Sequence, residues 1–118
     1  MKNNNKIEYI NDLSEINIIE SDYYKILIDW MELNNKEDFI KYIYFELWCP
    51  KDFWLNWDAF WDTITDNQFW VKKPLFIIFK NYNNINKEER LVLSDILIDL
   101  IQIKWHKYNV FILKNNYE

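Results

Sequence analysis

In the stretch Pro50-Lys51-Asp52-Phe53-Trp54-Leu55-Asn56-Trp57-Asp58-Ala59-Phe60-Trp61-Asp62, a loop leads into a helix that carries Asp58, Trp61 and Asp62 at i, i+3 and i+4. That spacing projects two carboxylates and an indole together. Three kinds of chemistry are open to such a trio: acid–base work, ligation of a divalent cation, and recognition of a partner. No substrate pocket is marked for the first. A hard-metal site needs several more oxygens, and no third ligand is suggested nearby. Recognition is left, and each residue also has a plain structural reading. The helix macrodipole favours an anion at Asp58 in the first turn. Trp61, with Trp57, Phe60 and Ile64, has the spacing of core aromatics. Asp62 lies beyond the first turn, where a carboxylate is commonly just solvated.

The elements that position this face follow from local signals. Asn56 is a good N-cap for a helix running to about Thr65. An earlier helix begins after Asn35, with Glu37 and Asp38 in its first turn and an apolar stripe of Phe39, Ile40, Ile43 and Leu47. A last long helix begins after Asn86, with Glu89 placed as in a capping box; its stripe of Val92, Leu93, Ile96, Leu97, Leu100 and Ile101 is expected to bury against a sheet. Short apolar strands separated by these helices predict an α/β fold with parallel pairing and helical crossovers. The chain has no glycine, so turns are expected to rest largely on asparagine, at Asn34-Asn35, Asn67, Asn83-Asn84 and Asn109. Residues 1–21 form a lead segment with two possible short strands, Ile7-Glu8-Tyr9-Ile10 and Ile16-Asn17-Ile18-Ile19, readable as an added hairpin or a tail; the main domain spans 22–118.

Pro50, Asn56, Asp58, Ala59, Trp61 and Asp62 resemble, in order and interval, the binding loop and second helix of the barstar family, intracellular inhibitors of barnase-type ribonucleases. Tyr24–Asp29 resembles the family's first strand, Glu37–Leu47 its first helix, Lys73–Phe79 its second strand and Val110–Leu113 its third, so the resemblance covers about 24 to 113. It implies a small three-stranded parallel sheet packed with about four helices. It also implies a mechanism: helix carboxylates take the place of the scissile phosphate among the basic groups of a ribonuclease. Asp62 would enter the phosphate site and meet arginine, Asp58 would pair with a nearby basic or polar group, Trp61 would add aromatic area, and Asn56 would hold the helix start and contribute to the rim. Two positions depart from the pattern. Asp52 stands where the family has a tyrosine that packs against the ribonuclease, and Trp54 where it has a glycine. The loop is therefore expected to take its own conformation and to serve a different cognate enzyme. The family's further acidic contact falls at Gln102, and Asp99, three residues earlier near the same helical face, is the candidate substitute.

Composition agrees with a small α/β domain. In 118 residues, 50% hydrophobic and 19% aromatic content is enough for a real core. Cys49 is the only cysteine and His106 the only histidine, and the two form no catalytic motif. Without glycine there is no phosphate-cradling loop. No enzyme activity, cofactor or metal is expected. No apolar run of signal-peptide length follows the N-terminus, and none approaches the ~20 residues that span a bilayer, so a cytoplasmic protein is expected. A net charge of -5 disfavours direct nucleic-acid binding and favours a basic partner, an extracellular-type ribonuclease or nuclease toxin, met by a free monomer. The alternative is an interaction module that kept the fold and lost the ribonuclease target, using Trp48, Trp54, Trp57 and Trp61 as an exposed aromatic patch.

Overall fold

The computed structural model describes residues 7–16, 22–49, 54–65, 73–103 and 107–114. Its strands are β1 (Glu8–Ile10), β2 (Tyr24–Asp29), β3 (Leu75–Lys80) and β4 (Tyr108–Leu113), and its helices are α1 (Lys36–Glu46), α2 (Trp57–Thr65) and α3 (Lys87–Leu100). All strands pair in parallel, in the order β1-β4-β3-β2. The α/β fold and the three strands expected from the sequence are present as β2, β3 and β4. The fourth comes from the lead segment, where Glu8–Ile10 lie beside Phe111–Leu113. Of the second possible strand in that segment, only Ile16 lies within the described residues.

Parallel neighbours need crossovers, and here α1 and α2 lie between β2 and β3, while α3 lies between β3 and β4. Covering both faces of the sheet suits the central strand, whose run Leu75-Phe76-Ile77-Ile78-Phe79 is buried throughout. On one face Ile26, Ile28, Leu75, Ile77, Phe79, Val110 and Ile112 meet the helices. On the other, Phe76, Ile78 and Phe111 join Ile10 in a smaller cluster, packed against by Ile16, Tyr23 and Leu113. The Tyr23 and Phe76 rings stand 4.3 Å apart there.

Phe39 is the hub of the larger core. Its ring lies 5.3 Å from Trp30, 6.1 Å from Trp57, 5.5 Å from Phe60 and 6.0 Å from Phe79. The predicted α1 stripe of Phe39, Ile40, Ile43 and Leu47 is buried as a unit. In α3, Leu93, Leu97 and Leu100 are buried together with the C-cap Ile101, and Ile96 packs against them, but Val92 is exposed, at the margin of the stripe. The capping box expected there is also replaced. Asn86 accepts from the Glu88 amide at 2.9 Å, while the Glu89 carboxylate accepts from the Trp57 indole at 3.0 Å.

Asparagine works mainly as a helix cap rather than as the left-handed turn residue. Asn35 accepts from the Asp38 amide at 2.9 Å. Asn109 lies inside β4, because that strand starts at Tyr108 in register with Leu75. Asn67 lies outside the described residues. Among the described residues, positive φ occurs at Asn81 and Trp48, both at 56°. Trp48 follows α1, where the Cys49 amide donates to the Tyr44 carbonyl (3.0 Å) and the Trp48 amide to that of Phe45 (3.2 Å). This is the Schellman pairing, which favours glycine at the position Trp48 holds. The Tyr24 hydroxyl satisfies the Glu46 carbonyl at 2.8 Å. Glycine at 48 would keep this geometry without the Cβ clash, whereas alanine would retain the clash and lose the same indole contacts. Trp48→Gly is therefore expected to be more stable than Trp48→Ala by about 1 kcal/mol in urea denaturation. Alanine ranking above glycine would show that residue 48 does not hold the left-handed conformation.

Asn81, the other left-handed residue, donates from Nδ2 to Asp29 Oδ1 at 2.8 Å, and the same carboxylate accepts from the Met31 amide at 2.9 Å. Lys80 Nζ lies 4.0 Å from Asp29 Oδ2. Partial burial pushes the Asp29 carboxyl up, but these hydrogen bonds and the Lys80 charge together hold it below its ordinary 3.8. A depressed carboxylate contributes stability that is present above the ordinary value and lost as pH falls through the folded-state value. Asp29→Asn is expected to lower the melting temperature at neutral pH, with the gap to the parent protein closing below about pH 4. A gap of equal size in both ranges would exclude the carboxylate charge as its source.

Candidate functional site

Helix α2 is anchored at both ends and along most of its circumference. At its start the Asn56 side chain accepts from the Ala59 amide (2.8 Å) and the Asn56 carbonyl from the Phe60 amide (2.9 Å), the N-cap expected from the sequence. Trp57 is tied to α3 through Glu89. The chain just ahead is tied to α1, where the Tyr44 hydroxyl donates to the Trp54 carbonyl at 3.2 Å. Burial raises the pKa of the Tyr44 phenol, opposed by its hydrogen bond with Thr63, so it is a protonated donor at neutral pH. At the far end the Tyr108 hydroxyl donates to the Ile64 carbonyl and Thr65 Oγ1 to that of Trp61, both at 2.6 Å.

Phe60, Thr63, Ile64 and Thr65 are buried, and Trp57, Ala59 and Trp61 are half-buried. Of the nine residues of α2, only Asp58 and Asp62 are exposed. They stand one turn apart, roughly 6 Å along the axis. Neither has an ion-pair or hydrogen-bond partner among the described residues. Like charges at this spacing oppose the helix by roughly 0.2 to 0.5 kcal/mol. The helix therefore presents a bare, doubly negative edge with Trp61 at its margin. It has the means to bind a cationic surface, since its carboxylates stand on an anchored helix and have no bond to give up among the described residues.

The other residues singled out from the sequence divide around this edge. Asn56 is exposed at the helix start, and Trp54 is 80% exposed two residues earlier. Asp52 lies outside the described residues, as does His106. Asp99 is exposed in the last turn of α3, ten residues from Glu89, or about 15 Å along the helix from the Trp57 contact. Gln102 is exposed and turns its amide back to the Ile98 carbonyl at 3.2 Å. Among the described residues no three His, Cys, Asp or Glu side chains gather as metal ligands. Cys49 packs against the core, and burial pushes its thiol up to about 11, which keeps it protonated and unreactive. No helix among the described residues is long and apolar enough to cross a membrane.

The four tryptophans grouped by sequence separate into two pairs. Trp57 and Trp61 pack against the core, whereas Trp48 and Trp54 face solvent. Sequence reasoning missed Phe45, which is 78% exposed on α1; its position off the Phe39, Ile40, Ile43, Leu47 stripe was the available signal. It also missed Tyr44 as the tie between α1 and the approach to α2. Because the Asn56 side chain satisfies an otherwise orphaned amide, Asn56→Ala is expected to reduce stability by about 1 kcal/mol in urea denaturation. An unchanged midpoint would mean that the cap does not hold the helix start.

The family model of barstar, described as the barnase inhibitor, matches residues 23–113. A search of curated proteins gives no match. The matched span runs from the residue before β2 to the last residue of β4, takes in α2 with both exposed carboxylates, and leaves β1 outside. With its sheet, its helical crossovers and the greater part of its length inside that match, the chain belongs to the barstar family.

Proposed function

We propose that this protein is a ribonuclease inhibitor or immunity protein that blocks the active site of a basic nuclease by presenting Asp58 and Asp62 as phosphate mimics. The observation that carries the reading is that the only exposed residues of an otherwise anchored α2 are two carboxylates with no partner among the described residues. A ribonuclease holds the scissile phosphate with cationic and hydrogen-bonding groups. Carboxylates set on an anchored helix are held near one another before the partner arrives, so less ordering is needed on association. Asp62 enters the phosphate site and pairs with arginine. Asp58 meets a neighbouring basic or polar group, Trp61 packs beside the pair, and Asn56 adds a rim contact. Trp54 and Asp99 lie toward the periphery, and these two together with Asp52 adjust the fit to one nuclease. The protein acts by binding rather than by catalysis, as a monomer when free, in the cytoplasm of a cell that makes or meets an extracellular-type ribonuclease or nuclease toxin.

The net charge of -5 suits such a partner by steering encounter. RNA cleavage by barnase, and by any nuclease encoded beside this gene, is the test, titrated with the protein and with Asp62→Ala. Stoichiometric inhibition is expected. Loss of a hydrogen bond to a charged group weakens binding by roughly tenfold to a hundredfold. In Asp62→Ala this loss should appear mainly as faster dissociation, while removing an acid on the sheet face away from the helices, such as Glu8 beside Phe111, slows association at low salt. Equal effects of the two substitutions would sink the phosphate-mimic assignment, and no inhibition of either enzyme would favour a retargeted interaction module.

A further inference from the structure

Phe45, Trp48 and Trp54 are 78%, 69% and 80% exposed, and none belongs to either core. Their backbone is nonetheless fixed. The last turn of α1 has its Tyr44, Phe45 and Glu46 carbonyls occupied by the Cys49 amide, the Trp48 amide and the Tyr24 hydroxyl. Phe45 and Trp48 border a groove of about 410 Å³ that Tyr24, Tyr44, Glu46 and Cys49 also line. Tyr44 lies under both parts of the patch, since its hydroxyl holds the Trp54 carbonyl. Trp48 stands in the left-handed region, where glycine would serve the turn without a clash. A bulky residue held in a strained conformation with its ring in solvent points to a role outside the fold.

Aromatic side chains bury roughly 150 to 250 Å² each, so at these exposures the three offer on the order of 400 Å². That is as large as the largest apolar patch on a typical monomer. It is about half of the ~800 Å² that each partner contributes to a standard interface. A second copy seated on the patch alone would bury too little for a stable dimer. The patch is instead tied through Tyr44 to the helix that carries the carboxylates. Trp54 is four residues before Asp58, at most about 14 Å away along extended chain, and Tyr44 also meets Thr63 on α2.

We propose that Phe45, Trp48 and Trp54 are the apolar half of one interface whose charged half is Asp58 and Asp62, and that the partner is a basic nuclease carrying an apolar ridge beside its active site. The ridge enters the groove between Phe45 and Trp48. This deepens the inhibitor reading and rests on it: the carboxylates recognise what nucleases share, and the aromatic shelf selects which nuclease is bound.

Surface plasmon resonance tests this with immobilised barnase and with any nuclease encoded beside this gene. The analytes are the full chain, Asp62→Ala, and the double substitution of Phe45→Gln with Trp48→Gly. A cooperative melt by circular dichroism verifies that each variant is folded. The expected result is at least roughly tenfold weaker binding by the double variant, through faster dissociation with association unchanged, because no charge is altered. Parent-like binding by the double variant, with Asp62→Ala impaired, would overturn the aromatic shelf and leave the inhibitor reading standing. Failure of the parent chain to bind either nuclease would overturn both. Sedimentation of the free chain as a dimer that the double substitution dissociates would overturn the shelf in favour of a homodimer surface.

Discussion

Four elements meet at the ring of Phe39, and the placement of the carboxylate edge depends on that meeting. The ring touches the turn after β2 through Trp30, the sheet through Phe79, and α2 through Trp57 and Phe60. An α2 helix of nine residues is too short to be stable alone in water. It exists because Phe60 and Ile64 are buried against this aromatic centre. Removing a buried phenylalanine side chain usually costs about 3 to 5 kcal/mol, a large part of a domain's net stability of roughly 5 to 15 kcal/mol.

Around that apolar centre, hydrogen bonds set the helix's rotation as well as its position. Trp57 reaches Glu89 on α3, Tyr108 reaches the Ile64 carbonyl, and Tyr44 holds the approach at Trp54. Three different elements thus grip α2, and the angle left facing solvent is narrow enough for two side chains. The repulsion between the two acids is unfavourable for the helix and their shared charge is useful to a binding edge. The same trade appears at Trp48, where a turn that would be relaxed with glycine carries an exposed indole. Local rules of foldability are broken at these two places, and both lie on the surface proposed to meet the partner.

Much of the architecture was legible because its signals are local. Asn35, Asn56 and Asn86 each cap the helix that follows, since a cap needs only amides two or three residues away. The Phe39, Ile40, Ile43, Leu47 stripe and the unbroken apolar run of β3 reported their own burial. The errors share a cause. Glu89 has the spacing of a capping box, yet its carboxylate goes to an indole on another helix. Asn109 reads as a turn residue, yet the register of β4 against β3 carries it inside a strand. Val92 reads as core, yet the stripe is narrower than its apolar residues.

By itself the sequence determined the α/β class, the helix starts, the core stripes and the Asp58, Trp61, Asp62 spacing, because each is a matter of neighbours within about two helical turns. Only the tertiary structure decided that β1 joins the sheet beside β4, that Trp57 and Trp61 turn inward while Trp48 and Trp54 turn outward, and that Asp58 and Asp62 are the sole exposed residues of α2. Periodicity tells which side chains share a face. Which face meets the core is settled by what the rest of the chain brings against it, and in this protein that is Phe39, Glu89 and Tyr44.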